Sequence, residues 1–362
     1  MARSSKITIR DVAARAGCGV ATASRVLNRS GATSADSRER VERAAAELGF
    51  SFSAIGRALQ SSRSMTVGVL VPSLANPVFA EAVQGTQEEL RDAGYQCLIA
   101  SSTYDPARDA EALGVLTAKQ VDGLIVTMVA PEESPALGAA RTRDIPAVLM
   151  FHDPRAGLLS AHVDNAAAAR EVARQCAAAG HRATGFLALR FSTSDRSRAR
   201  FTGFTQGCAE LGMAAPVLVE VSEAEAASPD ALARTLAAHP DLTAIFASND
   251  FLAIALQRAA RELGLRVPRD LSVVGFDGIE IGRHLDRPLT TVETDPEAMG
   301  RQAARLLLAM LRGETPEQPA PLPFTFRPGA TLAAPAEDRD DDRAATRSPS
   351  AHPDQNPSLK RT

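Results

Sequence analysis

From Thr66 onward the sequence alternates short apolar runs with helical stretches, and this alternation restricts the fold more than any other feature. TVGVLV (66–71), QCLIA (96–100), GLIVT (123–127) and PAVLM (146–150) are separated by helical stretches near 77–93, 107–119 and 132–143. A second series follows: TGFLAL (184–189), TAIFA (243–247) and LSVVGF (271–276), with helices near 165–179, 197–211, 229–238 and 251–263. A strand buried on both faces reads as an unbroken apolar run, and parallel neighbours need a crossover between them. Two such series predict two α/β lobes, each a doubly wound parallel sheet. A last helix, about 296–312, is expected to return to the first lobe. Lobes that share several crossings flex as a hinge.

The N-terminal stretch IRDVAARAGCGVATASRVLN (9–28) has a different period. Ile9, Val12, Ala13 and Ala16 recur at helical spacing, and Gly17 ends the helix where a positive φ costs glycine little. A second helix is predicted from Val20, with Gly19 as a weak cap and Ala23, Val26 and Leu27 facing inward. Ser34 caps a third, running through Arg38, Val41, Ala44, Ala45 and Leu48 to Gly49. Two helices across a tight glycine turn read as a helix-turn-helix, whose second helix enters the major groove. On its outer side Arg25 suits guanine, Val20 and Ala21 suit a thymine methyl, and Thr22, Ser24 and Asn28 suit phosphate oxygens. Ser37 and Arg38 open the third helix, where free N–H groups meet phosphate.

Charge supports this reading. Residues 1–63 carry eleven Lys/Arg against five Asp/Glu, a net of +6, although the whole chain of 362 residues is at −3. A basic head on an acidic body attracts polyanions. The N-terminus lacks an apolar signal segment and no stretch is apolar enough to span a bilayer, so a cytoplasmic protein without a membrane partner is expected. The four cysteines (18, 97, 176, 208) have no paired spacing and read as reduced, mostly buried thiols, with neither a metal site nor a cofactor expected. Between head and lobes, Ser53 caps a short helix through Leu59, followed by a serine-rich linker. That helix is too short to be stable alone, and Gly56 weakens it by about 1 kcal/mol. Leu59 fits either a wedge in the minor groove or packing against the body. The expected divisions are 1–51, 52–64, 65–332 and a charged, proline-rich disordered tail, 333–362.

TIRDVAARAGCGVATASRVLN, the GRAL segment, GVLVPSLANPVFAE, ASND and SVVGFDG together resemble the lactose-repressor family of bacterial transcription regulators, over about residues 7–330. The resemblance implies a hinge helix after the head and a core similar to type I periplasmic sugar-binding proteins. It also implies a homodimer on a pseudopalindromic operator, controlled by a small molecule. It sets Val20, Ala21 and Arg25 at base-reading positions and Thr22, Ser24, Asn28 and Ser37 at positions for backbone contact or helix packing. Leu59 falls at the minor-groove wedge, and Arg57 of the same segment counts among the DNA-binding residues. Cys18-Gly19, Ala23, Phe52-Ser53 and Gly56 depart from the family pattern and loosen the cap and the hinge. The sequence GVLVPSLANPVFAEAVQG is similar to the gluconate-responsive branch.

Ligands of parallel sheets bind beyond the carboxyl ends of the strands. Ser73, Asn76, Asp153, Asn249, Asp250 and Asp277 fall at such ends, and Arg200 faces the same side. Asp and Asn acceptors with Arg donors suit hydroxyls, and Phe79 or Phe276 suits an apolar ring face. The family resemblance places effector contacts at Arg200, Asn249 and Asp277, with Phe79 nearby. A sugar-acid carboxylate would meet Arg200. Asn249 and Asp250 serve equally as helix caps. His152-Asp153 lacks any accompanying nucleophile motif and reads as cleft rim, so catalysis is not expected. The expected function is effector-controlled regulation, commonly repression, of a sugar or sugar-acid operon. The alternatives are a regulator with a purine co-repressor and a sugar receptor with no DNA role.

Overall fold

The computed structural model describes residues 7–27, 31–50, 63–155, 157–222, 225–226 and 228–336. Asn28, Arg57, Leu59, the 52–62 part of the linker and residues 337–362 of the tail lie outside the described residues. Of the expected tail, Ala333 is described, and its N–H donates to Ser272 Oγ at 3.2 Å.

Three N-terminal helices, α1 (Ile9–Arg15), α2 (Val20–Leu27) and α3 (Ala35–Leu48), enclose a small core. Val12, Ala13, Ala23, Val26, Val41 and Ala44 fill it, with Leu27 and Leu48 at its margin. Small side chains allow the close approach that so short a bundle needs. Gly17, at φ +62°, makes the turn between α1 and α2. Gly49 closes α3 at φ +63°.

The first lobe contains β1 (Thr66–Val71), α4 (Pro77–Asp92), β2 (Gln96–Ser101), α5 (Pro106–Ala118), β3 (Gly123–Val126), α6 (Pro135–Arg141), β4 (Ala147–Met150) and β5 (Leu159–Ala161). Its sheet order is β2-β1-β3-β4-β5, parallel throughout. The second lobe has α7 (Asn165–Ala178), β6 (Thr184–Leu189), α8 (Asp195–Glu210), β7 (Val217–Val221), α9 (Pro229–Ala238), β8 (Ala244–Ala247), α10 (Asp250–Glu262) and β9 (Ser272–Asp277). β10 (Thr290–Glu293) adds to that sheet, α11 (Pro296–Leu311) returns to the first lobe, and β11 (Thr325–Arg327) closes the second sheet. The order is β11-β10-β9-β8-β6-β7.

Three details differ from the sequence reading. β11 runs antiparallel to β10, so the second sheet is not purely parallel. β5, β7, β10 and β11 carry no long apolar run; β7 is an edge strand with alternating exposure, and two of the others are three residues long. The helix expected over 132–143 is split. Pro135 supplies no N–H, Ser134 stands extended and caps the later helix, and a separate turn covers Pro131–Glu133.

Helix pairs lock each lobe at glycines. A Cβ on Gly85 of α4 would meet the Glu297 carbonyl of α11, and one on Gly300 would meet that of Ala82. Gly203 of α8 lies equally close to the Ala166 carbonyl of α7. The chain passes between lobes three times: at Val163–Asp164, at Thr294–Asp295, and near Leu322, whose N–H donates to the His162 carbonyl at 2.8 Å.

Candidate functional site

The head presents α2 outward. Val20 keeps 45% of its surface exposed, a large fraction for an apolar side chain. Ala21 and Arg25 are exposed beside it, Thr22 and Ser24 are half-buried, and Ala23 and Val26 point into the core. Arg25 Nε lies 3.3 Å from the Ala21 carbonyl, so its guanidinium follows the outer face of α2. Thr8 donates through N and Oγ1 to Asp11, at 2.7 and 2.8 Å, and fixes the start of α1. Ser34 accepts from the Ser37 N–H and donates to Ser37 Oγ, so Ser37 belongs to the cap of α3. Glu47 and Asp36 neutralise Arg15 and Arg40.

The chain leaving the head is tied to the floor of the first lobe. Ser64 donates through N and Oγ to Asp122 Oδ1, at 2.8 and 3.0 Å, and Met65 N to Oδ2 at 2.9 Å. Arg63 Nη2 donates to the Leu311 carbonyl at the end of α11.

Between the lobes lies a cleft with a cavity volume of about 70 Å³. Asn76, Phe79, Arg200, Asn249 and Asp277 line it, as does an unforeseen group that includes Tyr104, Phe151, Arg190 and Arg196. Ser73 is not in the lining, and its hydroxyl instead accepts from the Ala75 N–H. Asn76 and Asn249 cap α4 and α10, accepting from Val78 N and Leu252 N while bordering the cavity. Capping and lining therefore coincide at both. Asp153 lies off the cavity.

Arg200 is the organising cation. Its Nε donates to Asn165 Oδ1 at 2.8 Å and its Nη1 to the Ser248 carbonyl. Nη2 stands 3.6 Å from Asp277, and the guanidinium stacks 3.5 Å above the Phe276 ring. Burial pushes Arg200 down to about 10 and Asp277 up to about 6, with each partner's charge opposing the shift of the other. Asp250 is not a cavity residue. It is wholly buried, accepts from Gly278 N and Ile279 N at 2.8 Å and from the Thr291 hydroxyl, and burial pushes it up to about 7. It holds the backbone immediately after Asp277, whose φ is +117°.

Left-handed backbone recurs around the cavity at Thr103, Tyr104, Phe151 and Arg190, each just past a strand. Such conformations cost non-glycine residues about 1–3 kcal/mol and persist where surroundings over-determine them. A run such as TYD carries no sign of this, which is why sequence reading missed these residues.

Side chains cross the gap between lobes. His152 is wholly buried, accepts the Met128 N–H at Nε2, and therefore donates from Nδ1 to Asp195 of α8 at 2.6 Å. Arg155 reaches the same carboxylate at 3.3 Å. Burial pushes Asp195 up, but the His152 hydrogen bond and neighbouring guanidiniums outweigh it and hold the carboxyl below its usual range. Arg190 Nη1 donates across to the Thr103 carbonyl at 2.8 Å.

No helix among the described residues is long and apolar enough to cross a membrane. Residues 8–53 match the bacterial regulatory proteins of the lacI family, and residues 173–332 a periplasmic binding protein-like domain. The chain is 32% identical to the HTH-type transcriptional regulator GntR of Escherichia coli, over 90% of its own length and 98% of the relative's. It is 31% identical to the HTH-type transcriptional repressor PurR of Photobacterium profundum, over 86% and 94%. The structure superposes on the lac repressor dimer bound to operator and the anti-inducer ONPF with TM-score 0.81 and 26% identity, covering 91% of this chain and 99% of that one. Outward α2, the polar cleft between two α/β lobes and these likenesses converge: the chain is a DNA-binding transcriptional regulator of the LacI family.

Proposed function

We propose that this regulator binds a pseudopalindromic operator as a homodimer in the cytoplasm and controls genes for sugar or sugar-acid use. The observation that carries the proposal is the cleft, where a buried Arg200–Asp277 pair stands beside Asn249 and aromatic faces. Paired donors and acceptors with a ring surface suit a small polyol. Exposed Phe251 and Ile281, at 43% and 52%, supply apolar surface suited to a second copy. Val20, Ala21 and Arg25 read base edges, Thr22, Ser24, Asn28 and Ser37 hold the backbone, and Arg57 and Leu59 act in the minor groove.

Ligand binding favours one setting of the lobes. Because Asp122 and Leu311 grip the chain that enters the head, that setting reaches the DNA-binding helices. The test is genome-wide footprinting, with and without sugars, sugar acids and purines. A preferred palindromic site whose occupancy changes with a sugar or sugar acid is expected. Absence of any preferred site, or response to purines alone, overturns the proposal.

A further inference from the structure

Three arginines line the cleft against one acidic residue, Asp277, and the three are not equivalent. Arg200 is engaged within the protein by Asn165, Ser248, Asp277 and the Phe276 face, so its charge is already balanced. Arg190 donates to the Thr103 carbonyl and lies 5.2 Å from the centre of the Tyr104 ring.

Arg196 differs. Its side chain is only 12% exposed, and its Nη1 has no hydrogen-bond partner among the described residues. The nearest carboxylate oxygen, Asp195 Oδ1, is 3.9 Å from that nitrogen and accepts the Arg196 backbone N–H instead. The other oxygen of Asp195 is taken by His152 and Arg155. The Arg196 guanidinium stands 5.9 Å from the centre of the Phe79 ring. It borders both the main cleft and a second, very small pocket that Arg200 and Asp277 also line. Leaving a buried charged donor unmet is costly, and an anion entering the cleft removes that cost.

We propose that Arg196 reads the charge of the effector, and that the effector is a small polyhydroxylated anion. Its carboxylate or phosphate meets Arg196, and its hydroxyls meet the Arg200–Asp277 pair. This moves the charge-reading role from Arg200, where sequence reading put it, to the residue one helical turn earlier. The inference rests on the cleft being the effector site.

Calorimetric titration of the full chain with matched pairs tests it: gluconate against sorbitol, and glucose 6-phosphate against glucose. One anion is expected to bind at least about tenfold more tightly than its neutral partner, as one charge-assisted hydrogen bond provides. Arg196→Gln removes that preference by weakening the anion's binding more than the neutral partner's and does not lower the unfolding midpoint of the ligand-free protein, whereas Arg196→Lys keeps part of the preference. The pair that responds distinguishes carboxylate from phosphate. Equal binding of the neutral partner, a preference that survives Arg196→Gln, or no uptake of either anion overturns the inference. A neutral sugar bound independently of Arg196 overturns it while leaving the regulator reading in place, because operator footprinting judges that separately.

Discussion

Arg25 and Asp250 show how much a single side chain depends on what surrounds it. Arg25 lies exposed on α2, its Nε–H weakly tethered to the Ala21 carbonyl one turn earlier, with its four Nη N–H donors beyond that tether. Arg25→Ala is expected to cost ~1–3 kcal/mol of discrimination between operator and altered operator, with little change in fold stability. Fluorescence anisotropy on matched duplexes measures this, and equal loss on every duplex would assign Arg25 to phosphate contact instead. Asp250 is the opposite case, sealed behind the cleft and raised from 3.8 to about 7 by burial. Between those values the folded state holds a proton that the unfolded state releases. Its contribution therefore strengthens folding as pH falls from 8 toward 5 and is lost as pH rises through 7. Asp250→Asn removes the ionisation, so the unfolding midpoint of the variant is expected to vary less over pH 5–8 than that of the parent. Thermal scans across that range check the slope.

At the scale of elements, helix starts and helix contacts carry the architecture. Side-chain oxygens cap α3, α4, α5, α6, α7, α8, α9, α10 and α11, and proline follows the cap in five of them. These signals are local, so helix positions were legible from sequence to within a few residues. The α4–α11 contact was not, because it joins Gly85 to Glu297 and Gly300 to Ala82 over some two hundred positions of chain. Gly300→Ala forces the Ala82 carbonyl away and is expected to destabilise the first lobe by about 1–3 kcal/mol. Urea unfolding measures it, and a shift below a few tenths would show that the helices part without strain. Asp122 is an element-end residue of another kind, since it accepts three hydrogen bonds from the chain rising to the head. Asp122→Ala is expected to leave effector affinity near its parental value while shrinking the effect of effector on operator affinity. Paired titrations with and without operator reveal it, and unchanged coupling would exclude this route.

For the whole molecule the decisive feature is that one carboxylate, Asp195, is held from the other lobe by both His152 and Arg155. These bonds tie one lobe to the other. Asp195→Asn weakens that hold and is expected to enlarge the radius of gyration of the ligand-free protein. Small-angle scattering checks it, and an unchanged radius would place the closing force elsewhere. The two-lobe plan was legible because each lobe repeats a strand–helix period that burial on both faces imposes. The ring of Tyr104, Phe151, Arg190 and Arg196 was not, since the first three follow three different strands and Arg196 opens α8, with no shared period. By itself the sequence determined the strand–helix alternation of the two lobes apart from β5, β7, β10 and β11, the outward face of α2 and the polar strand ends, all of which follow from spacings within a few residues. Only the tertiary structure decided which arginine is already neutralised and which keeps a guanidinium nitrogen without a hydrogen bond among the described residues, because that depends on the groups that distant elements bring within a few ångströms.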